Sequence, residues 1–275
     1  MPILPEMATE EATFLTWTRP ALPAAPVVWG RYEHAGVRYV VRDATADLHD
    51  RMLQLYVREY FHDEPASRSA GLGDDEVSAA EYSFLIAKAL AQGCSLVALE
   101  ESADAEPEMV GGMILPVLSA QDPPLPEVSG AAVRVLMGLN LALRSSAPHC
   151  DPLTRRPTAS WGGAVPRYMC DLGMHVRRDR RRRGLGAAIL GCVPAVARAL
   201  GVPHFSTLFT GATSQAMAAS LGLKVTSSFT THAYVLFKFC SDFLELNFIF
   251  HVFFNIFHIF SLFLFAFYLP SFSFS

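Results

Sequence analysis

"RRDRRRRGLGAAIL", residues 177–190, sets six arginines and one aspartate into seven positions, then turns into glycine and small apolar residues. Its neighbours decide how it is read. Before it, "YMCDLGMHV" (168–176) reads as a strand; after it, "GAAILGCVPAVARAL" (186–200) reads as a helix that Pro194 should kink. This strand–loop–helix frame holds Arg181-Arg182-Arg183-Gly184-Leu185-Gly186, an Arg-x-x-Gly-x-Gly pattern. Gly184 and Gly186 permit positive φ and close backbone approach to a ligand. Successive N–H groups there, with the start of the helix, form a nest for an anion, and flanking arginines add charge-assisted bonds to a pyrophosphate. The plainer readings are a solvated basic face or import signal for the arginines, and a tight turn for the glycines. Six arginines without an anion would repel one another, which favours a phosphorylated carrier. A dinucleotide fits less well, because the three-glycine fingerprint with its later acid is missing.

Outward from this loop the chain alternates strands and helices. "VRYVVRDA" (37–44) is a β-branched strand, and residues 46–61 place Leu48, Met52, Leu55, Val57 and Phe61 at helical intervals. "HDEPASRSAGLG" (62–73) stops that helix with a proline and continues as a glycine loop. Residues 74–92 form a second helix, acidic in its first turn and followed by Gly93. "CSLVALEE" (94–101) and "EMVGGMILPVL" (108–118) are two strands joined by an acidic turn. An apolar helical stretch, 131–144, interrupts the less regular residues 120–166. After the arginine run come a strand (204–210), a short helix (213–223) and a further strand (224–237). Residues 1–35, rich in proline, are expected to be a flexible lead-in. The order is mixed α/β with a crossover around the arginine run.

The whole chain narrows the function classes. Its 275 residues allow a self-sufficient core, and its net charge of −4 does not suit a general polyanion binder. Five cysteines without a Cys-x-x-Cys pair suit a reducing compartment and point to neither a disulfide framework nor a zinc site. The start of the chain lacks the pattern of a secretory signal. Near residue 236 the composition changes: 14 of 20 phenylalanines follow it, and Leu246–Ser275 contains no Asp, Glu, Lys or Arg. Residues 237–275 admit three readings. Leu246–Tyr268, 23 residues, could span a membrane, although Asn247, His251, Asn255 and His258 weaken insertion. The segment could fold back onto the protein, or it could be translated intron, since its codons must be AT-rich where the preceding ones are GC-rich.

The arginine loop resembles the acetyl-coenzyme-A loop of the Gcn5-related N-acetyltransferase superfamily. "REYFHDEPASRSAGLG" (58–73), the hairpin "CSLVALEES" with "EMVGGMIL", and "TSQAMAASLGLKV" resemble insect-type arylalkylamine N-acetyltransferases in the right order over residues 38–235. The resemblance implies a domain over 36–236 with a central mixed, mostly antiparallel α/β sheet. That sheet is expected to be splayed at the cofactor strand, flanked by helices, and to lack its last strand in this chain. It further implies a cytoplasmic monomer of monoamine metabolism that takes acetyl-CoA and a dopamine-, tyramine-, octopamine- or serotonin-like amine, with no metal.

Transfer requires a deprotonated amine, a polarised thioester and a proton for the departing thiolate. By resemblance Glu64 is the general base; a bland loop acid is the alternative, and Asp63 and His62 are its neighbours. Met174, His175 and Val176 would offer strand backbone to the pantetheine arm. Arg181, Arg182, Arg183, Gly184, Leu185, Gly186 and Ala187 would hold the pyrophosphate. Thr210 and Ser214 would bond the substrate or protonate the thiolate, or simply cap a helix. Tyr60, Phe61 and Tyr234 would line the amine pocket, or serve as core. A protein or peptide N-acetyltransferase, and a non-enzymatic nucleic-acid binder using the arginine run, stand as alternatives.

Overall fold

A computed structural model describes residues 14–22, 26–102, 105–118, 126–145, 167–202 and 204–223. The chain divides into two compact units, Met1–Ser228 and Phe229–Ser275, and every described residue lies in the first. Tyr234, the strand expected at 224–237, residues 146–166 and the phenylalanine-rich tail lie outside the described residues.

The expected lead-in over 1–35 needs correction. Val28–His34 is a strand, β1, paired antiparallel with β2 (Val37–Asp43) through a two-residue turn at Ala35 and Gly36, both left-handed. Upstream, Phe14 and Leu15 are buried, and Gln92 donates to the Leu15 carbonyl. Asp43 explains the order. This buried carboxylate accepts from Val27 N–H, from the Trp29 indole (both 2.7 Å) and from Arg19 (2.8 Å), tying the proline-rich segment to β2. Nothing local in the sequence signals that anchor.

Ala46–Leu55 forms α1, continues through a π turn over Tyr56–Tyr60, and closes with α2 (Phe61–Asp63). The stretch expected as a glycine loop instead contains a short helix, α3 (Pro65–Ala70), because Glu64 caps it and Pro65 suits its first position. Asp75 caps α4 (Glu76–Ala91) by accepting from Ser78 N–H. β3 (Leu96–Glu101) and β4 (Glu108–Met113) follow as a hairpin, then β5 (Val117–Leu118) and α5 (Ala131–Ser145). β6 (Tyr168–Cys170), β7 (Met174–Val176), α6 (Leu185–Ala199), β8 (His204–Ser206) and α7 (Ala212–Ser220) complete the described elements.

One sheet has the order β1-β2-β3-β4-β7 and is antiparallel; the other is β5-β6-β8, with β6 and β8 parallel. The strands read as 108–118 and 168–176 are each split in two. The ladder nevertheless runs on between them, since Ile114 N–H bonds the Gly173 carbonyl and Leu172 N–H bonds the Ile114 carbonyl, both at 3.0 Å. The bend falls at Gly173, whose φ of 129° is a glycine conformation. β6 therefore keeps β8 as its neighbour while β7 parts from it.

Helices cover both faces. α6 packs Leu185, Ile189, Val193 and Val196 against Tyr39, Val41, Ala98, Val110 and Met113. It continues through Pro194, which sits on its exposed side where the missing N–H disturbs no packing. Met52 of α1 lies against Gly112 on the opposite face. Among the described residues no helix is long and apolar enough to cross a membrane.

Candidate active site

The arginine run has intramolecular partners, which overturns the expectation of unrelieved repulsion. Arg177 pairs with Glu108 and Asp179, and Arg180 with Glu100, Glu108 and Asp179. Arg178 and Arg181 both reach Asp63, Arg181 at 2.6 Å. Hydrogen bonding from Arg178, and then from Arg181, holds the Asp63 carboxyl well below the usual carboxylate range. The acids come from α2, β3, β4 and the run itself, so sequence distance concealed them. Arg183 donates to the Tyr39 hydroxyl at 3.0 Å and to the Asp179 carbonyl. Arg182 is exposed, left-handed (φ 62°), and has no carboxylate partner among the described residues.

The loop turns into α6 at Gly184, with φ 77° and ψ −1°. The first bond of the helix runs from Ala188 N–H to the Gly184 carbonyl (3.0 Å), and no side chain caps it. The N–H groups of Leu185, Gly186 and Ala187 therefore have neither a helical partner nor a side-chain cap. Such a turn can take an anion.

Beside that turn, Met174 and Val176 point toward Gly186, where a Cβ would lie 3.8 and 4.0 Å from their side chains and 3.3 Å from Met217 Sδ. β7 is the last strand of its sheet among the described residues, so its outer edge faces the parting from β8. His175 points to the other face. It is buried between Tyr56 and Tyr60, with Nε2 3.1 Å from Glu59 Oε2, and burial lowers its pKa despite that carboxylate. Its side chain has a structural setting, and only its backbone lies on the strand edge.

Glu64 follows Asp63, the carboxylate that Arg178 and Arg181 hold. Its Oε1 accepts from Ala66 N–H (3.0 Å) and from the Thr210 hydroxyl, and its Oε2 accepts from Ser67 N–H at 2.6 Å. A carboxylate has about four acceptor positions, so one on Oε2 is left. Ser214 donates to the Gly211 carbonyl at 2.8 Å within the first turn of α7, and Pro65 lies against Gly211. The structure thus brings Glu64 and Thr210 together, with Ser214 one turn away.

Tyr60 is largely buried beside Gly173, and Phe61 is fully buried with its ring edge-on to Tyr82. Sequence reasoning passed over Tyr56 and Tyr82. Tyr56 donates to the Gly112 (3.0 Å) and Gly173 (2.9 Å) carbonyls, and Tyr82 to the Leu172 carbonyl (3.0 Å). Burial pushes both hydroxyls up, and the Asp171 charge adds to it, so they stay protonated donors. Both lie within predicted helices, and the carbonyls they bind are 56 to 117 positions away, so no local signal pointed to them.

Glu59, Asp63 and His175 offer ligand atoms within 4.8 Å of one another, a donor set suited to a divalent cation. The set does not fit one well here, because Arg178 and Arg181 already neutralise Asp63 and would repel a dication.

No protein-family model and no curated protein matches the sequence. Solved structures do match. A protein assigned as arylalkylamine N-acetyltransferase 7 from the yellow fever mosquito Aedes aegypti is similar with 26% identity and a TM-score of 0.65, over 75% of this chain and 84% of that one. A mosquito arylalkylamine N-acetyltransferase like 5b aligns at 21% identity and TM-score 0.53, covering 68% and 83%. Arylalkylamine N-acetyltransferase 2 from Aedes aegypti aligns at 17% and 0.52, covering 67% and 82%. The fold is that of the Gcn5-related N-acetyltransferases, with a resemblance to the insect arylalkylamine enzymes, and it supports an N-acetyltransferase.

Proposed function

We propose that the chain transfers the acetyl group of acetyl-coenzyme A to the primary amine of a small arylalkylamine. The observation that carries this reading is the contact of Glu64 with Thr210 beside the parting of β7 and β8. Asp63, next to Glu64, bonds Arg178 and Arg181 in the loop between β7 and the uncapped start of α6, which supports reading Glu64 as the carboxylate of that site.

In this reading the pyrophosphate sits on the N–H groups of Leu185, Gly186 and Ala187, with Arg182 as the arginine free to meet it. The pantetheine arm pairs along β7 over Met174 and Val176. An alkylammonium, with a pKa near ~10, must first lose a proton, and the remaining acceptor position of Glu64 takes it directly or through a water. The amine nitrogen then attacks the thioester carbonyl carbon: the C–N bond forms, the C–S bond breaks, and the nitrogen gives up its second proton. The thiolate leaves as a thiol after taking one proton, for which Thr210 and Ser214 are the candidate donors. Tyr60 and Tyr82, kept neutral, and Phe61 behind them give the amine site an aromatic wall.

Four of the six arginines spend their charge on carboxylates of the same chain, which speaks against nucleic acid as the ligand. The test is steady-state release of coenzyme A thiol by the full chain with acetyl-coenzyme A and a panel of arylalkylamines, diamines and peptides. Turnover with the arylalkylamines is expected; a folded protein that releases no thiol with any amine would sink the reading, and preference for peptides would move it to the protein-acetylating alternative.

A further inference from the structure

We propose that Tyr32 and Tyr39, on the β1–β2 hairpin, are positioning residues that hold the anion-binding turn open for its ligand; this rests on the cofactor reading above. Tyr32 and Tyr39 are register partners across the hairpin and stack with ring centroids 6.2 Å apart. Both hydroxyls reach one residue of the arginine loop. Tyr32 donates to the Arg183 carbonyl at 2.5 Å, while Tyr39 accepts from Arg183 Nη1 at 3.0 Å. Main chain and side chain of Arg183 are thus held from the same direction by groups about 150 positions earlier, at sequence separations of 151 and 144.

The consequence lies in where the carbonyl points. A backbone nest binds an anion only if its N–H groups converge and its carbonyls turn away. The Tyr32 hydroxyl takes up the last carbonyl before Gly184 and so keeps it off the ligand side. Gly184 is needed for the same reason, since a Cβ there would stand 2.5 Å from the Tyr32 oxygen. Tyr39 meanwhile parks the Arg183 guanidinium against the sheet, which leaves Arg182 as the exposed cation of the loop with no carboxylate or tyrosine partner among the described residues. The hairpin that the N-terminal segment was not expected to form therefore shapes the cofactor turn.

The test uses the full chain and Tyr32→Phe, which removes one hydroxyl and keeps the ring. Amide exchange of residues 183–187 is measured without ligand, coenzyme A binding by calorimetry, and both substrates by steady-state kinetics. Loss of one hydrogen bond of ordinary strength should speed exchange and raise the Kd for coenzyme A about three- to tenfold. KM for acetyl-coenzyme A should rise with it, while kcat and the amine KM stay within about twofold. Tyr39→Phe should do the same more weakly. Wild-type protein that binds coenzyme A, with a variant that binds as tightly and exchanges as slowly, would overturn the clamp alone. A fall in Tm and kcat at unchanged Kd would reduce the tyrosines to a structural role and overturn it too. Wild-type protein that does not bind coenzyme A would instead bring down the acetyltransferase reading, and the clamp's purpose with it.

Discussion

Glu64 accepts a hydrogen bond from Thr210, 146 residues further along the chain, while the same carboxylate caps α3 through Ala66 and Ser67 N–H. One side chain therefore has a structural and a proposed chemical duty, and the two separate by substitution. Glu64→Ser retains a good N-cap but no base. Its Tm should fall by only about 2–4 °C, from loss of the Thr210 bond, while kcat falls by about 10²-fold or more. Unchanged turnover in Glu64→Ser would leave Glu64 as a cap alone.

Thr210→Val deletes the hydroxyl at nearly constant shape. It should cost about 1 kcal/mol of stability and lower kcat/KM for the amine several-fold, with Thr210→Ser restoring both. Denaturant titration and steady-state kinetics on the three proteins check this; a Ser variant as impaired as Val would assign the effect to packing.

Arg182→Gly is expected to move binding and stability in opposite directions. The left-handed backbone at this position is strained for arginine, so glycine should stabilise the fold by about 0.5–1 kcal/mol. The same change removes the arginine of the run that has neither a carboxylate nor a tyrosine partner among the described residues, and should raise the KM for acetyl-coenzyme A about three- to tenfold. Stability and KM changing in parallel would contradict the assignment.

Asp63 sets a pH dependence. Its folded pKa is depressed by Arg178 and Arg181, so its contribution is present above the unfolded value near ~3.9 and is lost as pH falls through the folded value. Wild type should exceed Asp63→Asn in unfolding free energy at pH 7, and the difference should shrink steadily below about pH 4. Arg178 is well exposed, which keeps the gap modest. A gap that widened on acidification would place the stabilisation elsewhere.

Gly173→Ala should be severe. The residue has φ 129°, and a Cβ would run into the Tyr60 ring where β6 gives way to β7. A loss of about 2–3 kcal/mol or more is expected from strain and clash together. Gly191→Ala is the control, since nothing lies within 4 Å of its Cβ position and it sits inside α6, where alanine should stabilise by up to about 1 kcal/mol. Chemical denaturation of both variants measures the contrast.

The sequence by itself determined the local grammar of this protein. Apolar spacing marked α1; an acidic first turn and a following glycine marked α4; β-branched alternation marked β2; and a glycine pair before a helix marked the anion turn, because each signal lies within a few residues of chain. Only the tertiary structure decided what the charges and hydroxyls do. Arg178 meets Asp63 across 115 positions, Thr210 meets Glu64 across 146, and Asp43 turns an apparently loose segment into β1. Such partners are chosen by proximity in the folded chain. A run of six arginines therefore looked unpaired until the fold brought Asp63, Glu100 and Glu108 to it, and nothing in the chain around Tyr82 pointed to the Leu172 carbonyl.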